Sequence, residues 1–430
     1  MRIVKALLIG TGGVGEALAR ILGERDPSGQ WLERLVLADC KASRAEEVAA
    51  SLDTPQRFPA EFVDAGDREM IEALAQRHAV DVIVNATASE FVKPIFDAAY
   101  QAGVNYLDLG TYSRYDPDDP VHGEPEEWMA QYQFDRSAAW EEKGLLAVTG
   151  CGIDPGTVDV FAKYAEKHLF DELDELKVRD GNDFEVDGLD LVFGFSVVTV
   201  IEECLNPSVF WDRRRGWYLA EPMAEPEIFE LPEGIGPVEM VAVEHEEVMY
   251  MPRYLGKGLR KVSFKIQLDE DMKAALKYLR ALGLDSDEDI RIGEEEVAPI
   301  EVVAATAPDP ARIGERITGR ACVGVNVLGR KDGKDRDVFI YQLTDNQETM
   351  QRFGTQAVVT QTAFGPAITL ELLARGRWRG SGVHAPEAFE PEPYLALMDD
   401  YAHPFFMEER ASAYKKHLDS RALRAGLTSP

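Results

Sequence analysis

Residues 4–15, VKALLIGTGGVG, constrain the fold more than any other stretch of the chain. Val4–Ile9 is an unbroken apolar run, as in a strand buried on both faces. Gly10-Thr11-Gly12-Gly13-Val14-Gly15 fits G-x-G-x-x-G, and Ala17, Leu18, Ile21 and Leu22 then recur at helical spacing. In such a strand–loop–helix unit, Gly10 permits the tight turn and Gly12 lets the backbone approach a pyrophosphate. Gly15 lets helix and strand pack closely. The helix then offers free N–H groups and a positive dipole end to the phosphates.

The alternation continues to about residue 150. Residues 34–39, 81–85, 104–109 and 145–148 read as strands, and 43–52 and 92–102 as helices. This predicts an α/β fold with a Rossmann-type, doubly wound parallel sheet. Beyond about residue 170, residues 189–200, 238–243, 260–268, 297–304 and 321–328 read as strands. Residues 338–343 form another, after Lys331-Asp332-Gly333-Lys334, a hairpin turn signal. Closely spaced strands imply an inserted α+β substrate domain with a mostly antiparallel sheet. The acidic stretch 285–296 reads as a solvated loop or surface turn, 356–374 as a helix, and 385–393 as a surface wrap followed by a terminal helix. The expected division is 1–155 for the Rossmann dinucleotide-binding domain and 156–350 for substrate binding and dimerisation. Residues 351–430 are expected to return to the first domain.

Asp39 ends the second strand, where a carboxylate accepts hydrogen bonds from the adenosine ribose and repels a 2′-phosphate. That favours NAD, while Lys41 and Arg44 close by keep NADP possible. Cys40 lies in the same turn. Asp64 follows the expected third strand and either faces adenine or is a loop carboxylate. Asn85, Ala86 and Thr87, with Gly110, Thr111 and Tyr112, follow later strands and should border the nicotinamide.

Charge narrows the partners. Lys and Arg number 46 against 77 Asp and Glu, a net charge of −31. Nucleic acid and anionic membrane surfaces both need a positive face, so neither is an expected partner. No leader and no apolar run of about 18 residues is read, and a cytoplasmic protein without a membrane span is expected. The four cysteines (Cys40, Cys151, Cys204, Cys322) are far apart and form no Cys/His cluster. They read as free thiols in a reducing compartment, with no metal site.

A second motif, Gly150-Cys151-Gly152-Ile153-Asp154-Pro155-Gly156, follows the strand at 145–148 and leads into a helix. With GTGGVG, the segment GCGIDPGTVDVFAKYAEKHLFDEL, IGPVEM at 235–240, KDGK at 331–334 and GTQAVVTQTAFGPAITLELLARGRW with its GVHAPEAFEPEPY continuation, the chain resembles the saccharopine dehydrogenase family over nearly its whole length. The resemblance implies an NAD(P)-dependent oxidoreductase acting on the C–N bond of an amino-acid-derived secondary amine, through an imine. It implies catalytic or substrate-side roles for Asp154 and Tyr112. A family cysteine after the next strand has no counterpart in Val178-Arg179-Asp180-Gly181, which leaves the substrate open. Saccharopine is the first reading. Carboxynorspermidine, on residues 235–247 and 341–357, and lysine 6-dehydrogenase chemistry are the alternatives. A non-catalytic NAD(P)-binding regulator is the alternative of another class.

The residues themselves leave choices open. Just before a helix, Asp154 would cap backbone N–H groups, and the dipole would lower its pKa and make it a poor base. Tyr112 reads equally as a packed aromatic. Arg213 and Arg214, beside Arg215 between Trp211 and Trp217, either grip substrate carboxylates or belong to a solvated loop. The same holds for Arg253, Lys257, Arg260 and Lys261. His245, next to Glu246, reads as a substrate contact, a proton relay or a surface histidine. The expected partners are a small amino-acid substrate and a second copy in a homodimer.

Overall fold

The computed structural model describes residues 3–116, 119–123 and 125–410. The first sheet is parallel throughout, in the spatial order 382–384, 146–148, 105–108, 82–85, 4–9, 32–39, 60–62. Its strands alternate their contacts. Ala6 and Leu8 face the helices Gly13–Arg25 and Ala357–Ala374 through Ala17, Leu18, Ile21 and Ile368. Leu7 and Ile9 face Ile71, Leu74, Ile95 and Phe96 of the helices on the other side. Both faces are therefore covered, as a parallel sheet requires.

The second sheet has nine strands and is mostly antiparallel. At its centre Glu172–Asn182 pairs antiparallel with Arg320–Lys331 and parallel with Lys261–Gln267. Arg320–Lys331 and Lys334–Asp345 form a long hairpin that turns on Asp332 (φ 51°) and Gly333 (φ 71°), the two left-handed residues of a two-residue turn. The C-terminal segment serves both sheets. Gly382–His384 pairs parallel with Leu146–Val148 of the first, and Phe405–Glu409 pairs with Lys334–Asp345 of the second. One apolar cluster runs unbroken from Leu8 to Val178 and Val325, so the two sheets share a core.

Three sequence expectations are corrected. Within 189–200, the helix Val197–Leu205 begins at residue 197, with Ser196 as its cap. Its buried residues Val197, Val200, Ile201, Cys204 and Leu205 keep the helical period that their β-branched composition masks. Residues 297–304 fall largely in the helix Pro299–Thr306, where Pro299 occupies the first turn. The acidic stretch 285–296 is exposed as read, and its turn closes a short two-stranded hairpin, Ile290–Ile292 with Glu295–Val297. Residues 385–393 are not a surface wrap: Ala385, Pro386, Glu387 and Phe389 are buried, and Trp378 stacks on Phe389.

Ala357–Ala374 has the length and apolarity to cross a bilayer, but 83% of it is buried inside the fold. It is a core helix. Gly365 on it lets the helix approach the 150–156 loop, where a Cβ would lie 2.0 Å from the Cys151 carbonyl oxygen. All four cysteines are free.

Candidate active site

The glycine loop has the geometry that a dinucleotide needs. Gly10 has φ 92°, and a Cβ there would lie 2.5 Å from the Ala86 carbonyl oxygen. A Cβ on Gly15 would lie 2.0 Å from the Gly10 carbonyl oxygen. On Gly12 it would meet nothing within 4 Å. Two glycines are thus spent on close packing, and the third borders open space at a helix N-terminus that no side chain caps. That is the cradle a diphosphate fits. Asp39 braces the loop. Its Oδ2 accepts from the amide (2.8 Å) and hydroxyl (2.9 Å) of Thr11, and its Oδ1 from the Lys41 amide (2.9 Å). Arg44 donates to the Thr11 carbonyl at 3.0 Å and pairs with Glu16.

A cleft of about 1380 Å³ opens from this loop and runs between the two sheets. Gly12, Gly13, Val14, Ala86, Thr87, Gly110, Thr111, Tyr112, Asp154 and His245 all line it. Asn85 stands behind Thr87, accepting its amide at 3.0 Å and its hydroxyl at 2.7 Å. Gly10, Thr11, Gly15 and Asp39 form the support beneath the loop. Cys40 and Asp64 are exposed beyond it, with Asp64 turned onto the Gly66 amide at 2.9 Å. The Tyr112 ring lies under the Lys93 ammonium, 4.2 Å from it.

Asp154 is no helix cap. The cap position belongs to Gly156, whose amide donates to Asp159 at 2.7 Å. Asp154 instead faces the cleft, packed so closely that burial drives its pKa well above the ordinary carboxyl range. The neighbouring carboxyls of Asp180, Glu247, Asp159 and Glu246 push in the same direction. The expected lowering by the helix dipole is therefore reversed. A carboxyl in this setting favours its protonated form.

His245 is buried rather than superficial, only 5% exposed. Its ring stacks on Phe264 at 3.5 Å and its Nδ1 hydrogen-bonds Glu247. Burial lowers its pKa, against the opposing pull of Glu246, Asp180 and Glu244. Glu246 Oε1 accepts the Thr111 amide at 2.8 Å. Asp180 sits where the family cysteine is missing and faces the same cleft. Burial raises its pKa to about 7.

The basic candidates are elsewhere. Arg213 and Arg214 occupy the exposed turn between Ser208–Asp212 and Gly216–Ala220, outside the cleft lining. A tight hairpin turn projects its side chains into solvent, which explains the misplacement. Arg253 lies over the rings of Phe134 and Trp217, Lys257 donates to the carbonyl of Phe170, and Arg260 and Lys261 pair with Asp174 and Glu175. These cations brace the second domain.

What lines the cleft is acid. Among the described residues, thirteen aspartate and glutamate side chains face it, against two arginines. Arg114 is paired with Glu126 at 2.9 Å and Arg280 with Asp285 at 2.8 Å. Asp180, Glu202, Glu203 and Glu244 line the cleft without having been singled out in the sequence. They come from three segments far apart in the chain, so no spacing announces them. Glu244 accepts from Tyr115 at 2.6 Å and Asn206 at 2.7 Å.

Comparison with known proteins agrees with this geometry. Residues 6–148 match the model of the saccharopine dehydrogenase NADP binding domain, and residues 152–402 that of the saccharopine dehydrogenase C-terminal domain. The chain is 29% identical over 412 residues to carboxynorspermidine synthase of Vibrio alginolyticus, covering 94% of this chain and 96% of that one. It is 26% identical over 407 residues to carboxyaminopropylagmatine dehydrogenase of a Synechocystis species, covering 94% and 97%. Apo saccharopine dehydrogenase (L-Glu forming) of Saccharomyces cerevisiae shares the fold, with a TM-score of 0.64 at 13% identity over 95% of this chain and all of that one. The chain belongs to the saccharopine dehydrogenase family and is an NAD(P)-dependent oxidoreductase.

Proposed function

We propose that the protein joins a multiply charged amine to an amino-acid aldehyde by reducing the imine they form. The observation that carries this reading is the sign of the cleft. A glutamate–lysine conjugate such as saccharopine brings carboxylates and needs free cations, whereas a diamine brings ammonium groups and needs carboxylates. Thirteen acidic side chains and two arginines already in ion pairs suit the diamine. The names of the Vibrio and Synechocystis relatives support the same choice among the sequence readings.

Residues Gly10–Gly15 would hold the diphosphate, with Asp39, Cys40 and Asp64 toward the adenosine and Asn85, Ala86, Thr87, Gly110 and Thr111 beside the nicotinamide. The Asp39 carboxylate favours NAD, with NADP accepted. When bound, the nicotinamide supplies the hydride. Amine and aldehyde first add to a carbinolamine. Protonated Asp154 gives its proton to the departing hydroxyl, which leaves as water. The resulting iminium carbon takes one hydride to become a secondary amine, so the Asp154 proton and the hydride are the two hydrogens gained. Tyr112 contacts the substrate from the wall, and His245 with Asp180 moves the proton. The aldehyde partner's single carboxylate needs one cation. Arg114, whose partner Glu126 is half exposed, can exchange onto it.

In this reading residues 1–155 carry the cofactor, 156–350 the amine, and 351–430 tie the two together. The four free cysteines fit a cytoplasmic protein. Phe406 (41% exposed) and Met407 (46% exposed), on an edge strand of the second sheet, fit a homodimer contact.

The test is incubation with NAD(P)H, a diamine and aspartate semialdehyde, read by mass spectrometry. The expected product has the mass of amine plus aldehyde, less water, plus two hydrogens. Saccharopine formed from glutamate and 2-aminoadipate semialdehyde, with no diamine adduct, would overturn the reading.

A further inference from the structure

We propose that Glu202 binds the second ammonium group of the substrate amine and so selects amines by length, an inference that rests on the amine reading above. The helix Val197–Leu205 buries its apolar side and turns two adjacent glutamates to the cleft. They have different neighbours. Glu203 lies among Glu246, Asp154, Glu244 and Glu247, on the side where Asp154 stands. Glu202 accepts a hydrogen bond from Ser89 and lies near Glu90 and Asp287, with Glu244 common to both.

The Glu202 carboxylate has a fixed position and spare capacity. It accepts one hydrogen bond, 3.0 Å from the hydroxyl of Ser89. Ser89 opens the short turn Ser89–Phe91, two residues after Thr87 at the cofactor end of the cleft. The bond therefore locks Glu202 at a set distance from the place where the imine is reduced. A carboxylate accepts several hydrogen bonds, so most of its capacity is left for a ligand. Among the described residues no lysine, arginine or histidine hydrogen-bonds or ion-pairs with it.

The groups around Glu202 point to a cation. Glu244 is satisfied by Tyr115 and Asn206, while Glu90 and Asp287 add negative charge on the outer side. Glu203 receives no side-chain hydrogen bond among the described residues, so it too is free to bind. A half-buried acid without a counter-charge is costly, and an ammonium group relieves that cost for every carboxylate near it. An unbranched diamine with one nitrogen at Asp154 and Glu203 places the other at Glu202. A monoamine leaves Glu202 unpaired.

The test is calorimetry on the full chain with NADP⁺ present, at pH 8, where simple amines carry their charge. Propylamine, 1,3-diaminopropane, 1,4-diaminobutane and 1,5-diaminopentane are titrated into the wild type, Glu202→Gln and Glu202→Asp, each first shown to melt cooperatively. The best diamine is expected to bind the wild type at least about tenfold tighter than propylamine, the scale of one charge-assisted hydrogen bond. In Glu202→Gln the ratio is expected to fall close to one. In Glu202→Asp it is expected to persist, with the optimum moved to a longer diamine. A ratio unchanged in Glu202→Gln, while the diamines still bind, overturns the role of Glu202 and leaves the amine reading standing. No binding of any amine by the wild type overturns both.

Discussion

The backbone N–H of Thr111 donates to Glu246 Oε1 at 2.8 Å. Thr111 follows the strand Asn105–Asp108 of the cofactor sheet, and Glu246 follows Gly236–Ala242 of the second sheet. One hydrogen bond thus fixes a carboxylate of the cleft floor to the loop expected to border the nicotinamide, and Ser89 does the same for Glu202. These bonds tie acidic residues of the cleft to segments that follow strands of the first sheet. A positioned wall of this kind selects and orients a substrate, because it need not reorganise when charge arrives.

Gly12 separates cofactor binding from folding. Its φ is −62° and its Cβ would enter open space, so Gly12→Ala should fold normally. The added methyl occupies the diphosphate's approach, and fluorescence titration should show NAD(P)H affinity reduced by about tenfold or more with little change in melting temperature. Gly15→Ala should lose both, since its methyl would lie 2.0 Å from the Gly10 carbonyl oxygen. A Gly12→Ala protein that binds cofactor as well as the wild type would show that the diphosphate lies elsewhere.

Asp39 should govern the cofactor ratio. Asp39→Ser keeps a hydrogen-bond acceptor for Thr11 and removes the charge that repels a 2′-phosphate. The ratio of kcat/KM for NADPH over NADH is expected to rise by about tenfold. No movement toward NADPH would mean that Asp39 serves only as the brace of the loop.

Asp154→Asn removes the proposed proton donor without a change of shape. General acid catalysis is commonly worth about 10²–10⁴-fold, so kcat should fall on that scale while the Kd for NAD(P)H stays within about twofold. A kcat near the wild-type value would remove Asp154 from the proton path.

Binding of the amine should strengthen with pH. Burial holds Asp180 and Glu202 each near pKa 7, above their ordinary values of 3.8 and 4.5. Groups raised in this way favour the fold below those ordinary values and lose that contribution as pH climbs through about 7. A bound diammonium restores it. The rise in melting temperature caused by saturating 1,3-diaminopropane should therefore be larger at pH 8 than at pH 6. A larger rise at pH 6 would contradict the role of these carboxylates.

The sequence shows the cofactor half plainly and hides the substrate half for physical reasons. The glycine loop, its strand and its helix are contiguous, so their spacing alone carries the geometry. Local composition misleads at 197–205. Val197, Val198, Thr199, Val200 and Ile201 look like a strand, and the helix follows from burial against neighbours distant in sequence. Arg213 and Arg214 form the most conspicuous basic cluster yet lie on a solvent turn, whereas Asp154, Asp180, Glu203 and Glu244 meet only after folding. Asp154 shows the same effect at one residue. Its place just before a helix suggested a low pKa, and burial among other acids reverses the sign.

The central claim is tested most directly by comparing kcat/KM for two substrate pairs on the same protein with NADPH. One pair is 1,3-diaminopropane with aspartate semialdehyde, and the other is glutamate with 2-aminoadipate semialdehyde. A cleft lined by acids should favour the first by about a hundredfold or more, two charge-assisted contacts' worth. Faster turnover of glutamate with 2-aminoadipate semialdehyde would contradict it.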